Sequence, residues 1–219
     1  MSFVVIFDMD GVIFDSERLI ADLWKEVAKE KNISDIEDAI TRSIGITDVA
    51  TKAVFTEKYG EDFPYTDFKK IVSTRFHERC DGGNLPTKPG IHELMEYLHQ
   101  NKIPAAVASS TRTAVVKAEI SDAGLLEYFD KIIGGDQVTH SKPDPEIFIK
   151  AAAALNADPK DCYVIEDSFN GIRAAHAAGM HPFMVPDMLM PDEEIRGKAE
   201  KVFDSLIDVR EEFQRILTV

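Results

Sequence analysis

The feature that most constrains this chain is a short apolar run that ends in two acids. Phe3 to Phe7 are all apolar, Asp8 follows at once, and Asp10 and Gly11 come directly after Met9. A continuous apolar run of this length suits a strand covered on both faces, as in a parallel sheet. A lone carboxylate is costly to bury, so two of them at the end of such a strand call for a partner, and a shared cation is the simplest one.

The rest of the chain repeats this theme. Short apolar runs alternate with longer amphipathic stretches, which predicts βα alternation and a parallel sheet. Strands are predicted over 4–7, 105–108, 131–133, 163–165, 183–185 and 202–203, and helices over 91–100, 112–123, 145–155, 171–178 and 206–217. Asp144 and Pro145 read as the start of the 145–155 helix, and Gly179 as the left-handed end of the 171–178 helix. Residues 16–86 break the alternation. Leu19, Leu23, Trp24, Val27 and Ala28 share one helical face, and further helices are predicted over 36–44, 49–59 and 68–79. The expected fold is therefore α/β: a doubly wound, Rossmann-like parallel-sheet core of residues 1–15 and 87–219, with a helical cap domain, residues 16–86, inserted after strand 1. Asp15-Ser16 and Asp81-Gly82-Gly83-Asn84 read as its hinges.

At 219 residues the chain has room for a large domain or for a domain with a smaller companion. A net charge of −14 and the lack of any basic cluster argue against nucleic-acid binding. The acidity also means that an anionic substrate must be met by local positive charge. No apolar run reaches membrane-span length, and the N-terminal run is too short for a signal peptide and has no basic residue before it. The expectation is a cytoplasmic protein without a membrane partner, and a monomer by default. Cys80 and Cys162 lack metal-site spacing and read as reduced thiols. His77, His92, His99, His140, His176 and His181 show no metal or triad spacing and read as structural or surface residues.

In an open parallel sheet, ligands bind beyond the carboxyl ends of the strands. Four predicted strands deliver polar residues there: Asp8 and Asp10; Ser109-Ser110-Thr111-Arg112; His140-Ser141-Lys142-Pro143; and Glu166-Asp167-Ser168. Any one set suits ordinary helix capping, but all four together point to a site. Asp8 and Asp167, with Glu166 beside them, stay ionised together only around a cation, and carboxylates without His or Cys favour Mg2+. One of Asp8 and Asp10 is placed to attack phosphorus, and the other to move a proton to and from the leaving or attacking oxygen. Ser109 and Ser110 offer hydroxyls and N–H groups at a helix start, a natural phosphate seat, and Lys142 is placed to touch phosphate and nucleophile together.

These residues resemble the motifs of the haloacid dehalogenase superfamily: FDMDG at residues 7–11, Ser109 in VASS, Lys142 in SKPDP and IEDS at 165–168. The resemblance extends to AGLLEYFDKIIGGD and NGIRAAHAAGM and is weakest in the helical insert. It implies Asp8 as nucleophile and Mg2+ ligand, and Asp10 as general acid/base with its carbonyl on the metal. It further implies Ser109 and Lys142 on the transferring phosphoryl group, and Asp167 completing the metal site with Glu166 close by. Asp10 argues against a dehalogenase, whose halide leaves without a proton.

Within the superfamily the chain is similar to the group of β-phosphoglucomutase and small-molecule phosphatases. Ile20 stands where the mutase has a cap His. In the cap substrate loop, Gly45 is retained and flanked by Ile46 and Thr47, whereas Ile44 and Asp48 replace a Lys and an Arg. The expectation is a Mg2+-dependent phosphatase acting on a small phosphorylated metabolite, a sugar or polyol phosphate. Two alternatives are a phosphomutase of the β-phosphoglucomutase type and a non-enzymatic phospho-acceptor signalling module. The apolar character of residues 19–23 and 44–48 hints at a less charged substrate.

Overall fold

A computed structural model describes residues 3–80 and 82–218. Asp81, within the expected hinge, lies outside the described residues. The sheet has the strands β1 (Val4–Phe7), β2 (Ala105–Ser109), β3 (Lys131–Gly134), β4 (Cys162–Glu166), β5 (His181–Met184) and β6 (Lys201–Val202). Their order is β3-β2-β1-β4-β5-β6, and every pairing is parallel. The doubly wound α/β class expected from the sequence is the observed one.

Because β1 is central, its alternate side chains feed two cores. Val5 and Phe7 join a layer with α5 (Ile91–Gln100), α6 (Thr113–Asp122) and α10 (Leu206–Thr218). Val4 and Ile6 join Phe148 and Ala151 of α7 (Glu146–Ala154) and Ala174 of α8 (Phe169–Ala177). That is why the run at 3–7 is continuous rather than alternating. Fully burying one such side chain contributes about 1.5–3 kcal/mol.

Four helices stand between β1 and α5: α1 (Glu17–Glu30), α2 (Ile36–Ser43), α3 (Asp48–Tyr59) and α4 (Tyr65–Cys80). They close around a cluster of their own, with Leu23, Trp24, Phe55, Phe68 and Val72 buried. Phe55 is at its centre, its ring 4.8 Å from Trp24 and 5.4 Å from Tyr65 between centroids. The chain enters and leaves this insert side by side: Asp15 N donates to Pro86 O at 2.9 Å and Lys88 N to Ile13 O at 2.8 Å. The return crossing is thus at 86–88, and residues 82–84 form a turn just after α4. A core loop braces the crossing, since Lys88 Nζ lies 2.9 Å from Asp187 Oδ1 and Met188 packs on the insert's cluster.

Two differences from expectation have local causes. β5 begins earlier than predicted, because Pro182 reads against a strand yet pairs in register with Val164. A short helix, α9 (Glu193–Lys198), was not anticipated; six residues with Gly197 among them give little periodic signal, and Asp192 caps it through Ile195 N at 2.9 Å.

Candidate active site

Register brings the strand ends together. Phe7 pairs with Val107 on one side and Ile165 on the other, so Asp8 leaves β1 level with Ala108, one residue before Ser109, and with Glu166. Gly11 then turns the chain with φ +81°, and a Cβ there would overlap the Asp167 carboxylate. Glycine is needed for both the turn and the close approach.

Lys142 arrives from the loop before α7 and is buried. Its Nζ donates to Asp8 Oδ1 at 2.5 Å and to Glu166 Oε1 at 2.7 Å. The other Glu166 oxygen accepts from Ser168 N at 2.7 Å. Asp10 is held by two hydroxyls, Ser16 Oγ at 2.5 Å and Thr111 Oγ1 at 3.1 Å. Ser109 Oγ accepts from Thr111 N at 3.0 Å. Ser110 turns elsewhere, its hydroxyl donating to Gly45 O at 3.0 Å.

Electrostatics follow from this crowding. Burial pushes the Asp8 carboxyl up to about 8, against the pull of Lys142 and with added repulsion from Glu166 and Asp10. Burial also raises Asp10, opposed by the Ser16 and Thr111 hydrogen bonds. Asp167 is raised well above the usual carboxylate range by burial, then by Glu166, Glu17 and Asp8. Burial would lower the Lys142 ammonium, but Asp8 and Glu166 outweigh it and raise it. Oxygens of Asp8, Glu166 and Asp167 all lie within 4.8 Å of one another. This buried, all-oxygen set with a single lysine fits a hard divalent cation such as Mg2+, which would offset the burial and the mutual repulsion that raise Asp8 and Asp167.

Above the acids lies a cavity of about 500 Å3 between core and insert, lined by Asp8, Asp10, Ser110, Gly45 and Ile46 among others. Ile20 and Ala21 also line it, whereas Leu19 and Leu23 pack into the hydrophobic clusters. Thr47 is not among the lining residues; its side chain caps α3 through Ala50 N at 3.4 Å. Asp48, at the rim, accepts from Tyr65 Oη at 2.7 Å and pairs with Lys69.

Four residues that the structure brings here had no role at the site assigned from the sequence. Thr111 and Ser16 orient Asp10. Glu17 lines the cavity, its carboxyl raised well above the usual range by burial and then by Asp10 and Asp8. His77, read as structural or surface, lines it as well. The signal that existed was the hydroxyl run at 109–111 and the acid next to Ser16.

A family model for haloacid dehalogenase-like hydrolases matches residues 5–185. The chain belongs to the haloacid dehalogenase-like hydrolase family. A phosphorylated carbohydrates phosphatase of Thermotoga maritima is 34% identical over 176 residues, 80% of this chain and 81% of that one. A bifunctional riboflavin kinase/FMN phosphatase of Arabidopsis thaliana is 32% identical over 212 residues, covering 96% of this chain but 55% of the relative, so the chain spans about half of that protein's length. Among solved structures, β-phosphoglucomutase from Clostridium difficile superposes with a TM-score of 0.80 at 25% identity over the full length of both chains. The phosphoric monoester hydrolase class expected from the sequence is that of these curated relatives. Among the described residues, no helix is long and apolar enough to cross a membrane.

Proposed function

We propose that the protein is a Mg2+-dependent phosphatase of a small phosphorylated metabolite, acting through an aspartyl phosphate. The observation that carries this reading is the pairing of roles at the end of β1: Asp8 under the Lys142 ammonium, and Asp10 set apart between two hydroxyls. An Asp8 oxygen attacks phosphorus as the bond to the leaving oxygen breaks, and Asp10 gives its proton to that oxygen. Water then attacks the same phosphorus, Asp10 takes the water's proton, the bond to Asp8 breaks and inorganic phosphate leaves. Lys142 and the Ser109 hydroxyl hold the non-bridging oxygens. Asp8, Asp167 and the Asp10 carbonyl, with Glu166 alongside, are the residues that would hold Mg2+. When bound, the ion screens charge on the transferring group.

The likeness to a phosphatase of phosphorylated carbohydrates supports a sugar or polyol phosphate as substrate. The reading takes the protein as a monomer working in the cytoplasm. The cap role of residues 16–86 is part of the same reading. The likeness to β-phosphoglucomutase supports a second one, a phosphomutase. Against it, Ile20 lines the cavity where that mechanism calls for a His, which favours transfer to water.

The test is phosphate release from a metabolite panel, with and without Mg2+, for wild type and Asp8→Asn. Unchanged hydrolysis in the variant sinks the mechanism. Isomer interconversion stimulated by a bisphosphate, with little phosphate released, would select the mutase. An aspartyl phosphate that persists for minutes without turnover would select a signalling module.

A further inference from the structure

The loop between α2 and α3 is gripped by the core through its main chain. Ile44 O accepts from Asn170 Nδ2 at 3.3 Å, Gly45 O from Ser110 Oγ at 3.0 Å, and Thr47 N donates to Ser141 Oγ at 2.8 Å. Gly45 has φ +74° and lies so close that a Cβ would overlap Ser168 Oγ. Each partner lies close in sequence to a residue of the reaction centre: Ser110 follows Ser109, Ser141 precedes Lys142, Ser168 follows Asp167, and Asn170 is three positions past Asp167 in the first turn of α8. The loop's side chains take no part in these three bonds, while Ile44, Gly45 and Ile46 line the cavity.

We propose that Ser141 and Asn170 are positioning residues that seat this loop over Asp8. Resting on the phosphatase reading, this assigns them the task of closing the cleft around the leaving group only when the loops carrying Ser109, Lys142 and Asp167 are in register with one another. Reading the main chain lets the loop's side chains change with the substrate while its seat stays constant. An ordinary contact between two lobes would add stability but would not distinguish a large leaving group from a small one.

The experiment uses the full chain with Mg2+, as wild type, Ser141→Ala, Asn170→Ala and Ser141→Thr. Hydrolysis is compared for acetyl phosphate, whose leaving group is too small to reach the loop, and for the better wild-type substrate of riboflavin 5′-phosphate and a hexose phosphate. Amide exchange over residues 44–50 is followed alongside. The alanine variants should lose tenfold or more in kcat/KM on the larger substrate, mainly through KM, and less than threefold on acetyl phosphate. The Ser141→Thr variant, which keeps a hydroxyl, should retain at least half of the activity that Ser141→Ala loses, and loop amides should exchange about tenfold faster in the alanine variants. Equal losses on both substrates, or unchanged exchange, would overturn the proposal. If wild type hydrolyses neither substrate, the phosphatase reading falls, while the exchange data still decide whether these side chains seat the loop.

Discussion

Glu166 holds Lys142 in place for Asp8: the ammonium lies 2.7 Å from the Glu166 carboxylate and 2.5 Å from that of Asp8, with Glu166 fully buried. Removing the lysine leaves two buried carboxylates without the cation they share. Lys142→Ala should therefore lose about 3–5 kcal/mol of stability, as expected for breaking a buried pair, and reduce phosphate release by about 10²–10³-fold. Asp8→Asn should abolish turnover yet melt higher than wild type in metal-free buffer above pH 8, where Asp8 is ionised, because it removes a charge from a crowded site. Chemical denaturation and thermal melts check both, and a destabilised Asp8→Asn protein would contradict the charge argument.

Stability of the metal-free protein should fall as pH rises. The Asp8 carboxyl moves from an ordinary 3.8 to about 8 on folding, and Asp10, Asp167 and Glu17 are displaced in the same direction. A group whose pKa rises on folding binds more protons in the native state, so its contribution is complete below about 4 and lost by about 8. Mg2+ competes with those protons. The melting temperature gained on adding Mg2+ should therefore be larger at pH 8 than at pH 5.5, as scanning calorimetry after chelator treatment can show. An equal gain at both values would mean that the acids do not bind the ion.

Two helical glycines should respond oppositely to alanine. At Gly171, in the first turn of α8, a Cβ would overlap Glu166 Oε1. Gly171→Ala should cost about 1–3 kcal/mol despite better helix propensity, and lose activity through the displaced Glu166. At Gly197 in α9 nothing lies within 4 Å of a new Cβ, so Gly197→Ala should gain about 0.5–1 kcal/mol with full activity. Urea titrations of the two variants decide the contrast.

The insert should be able to loosen while the sheet stays intact. Phe55 is fully buried among aromatic rings of α1, α3 and α4. Phe55→Ala should destabilise that cluster by about 3–5 kcal/mol. Amide exchange should rise across α1–α4 and stay slow in β1 and β4; uniform acceleration would show a single cooperative unit instead.

Legibility in the sequence tracked how local the cause was. β1 and α5 appear with the predicted bounds, because burial on both faces and a clean helical stripe are each written in consecutive residues. Asp8, Asp10, Lys142 and Asp167 were legible because a parallel sheet sends strand ends to one edge, whatever the details of packing. What Ser110 does was not legible. Three hydroxyls follow one another from the end of β2, and only the turn there sends Thr111 to Asp10 and Ser110 to the insert. The Asp10–Thr111 pair spans 101 positions, beyond any periodicity in the chain. Asp48, read as a loop residue replacing an arginine, proved to be tied to Tyr65 and Lys69 at the rim, a pairing visible only once α3 and α4 pack.

Ser16 stands at the start of α1, where a serine ordinarily caps the helix with its side chain. Here it makes no such bond and gives its hydroxyl to Asp10. A forgone cap costs a helix about 1 kcal/mol, so α1 begins weaker than its sequence allows, in exchange for a fixed direction of Asp10, the proton carrier of the proposed mechanism. Under the proposed mechanism the insert is therefore constrained at its first residue: whichever helix opens it must still present a hydroxyl to Asp10. Grafting another relative's insert onto this core at residue 17 should preserve the chemistry, whereas a graft that replaces Ser16 by a residue without a hydroxyl should carry specificity over and leave proton transfer behind.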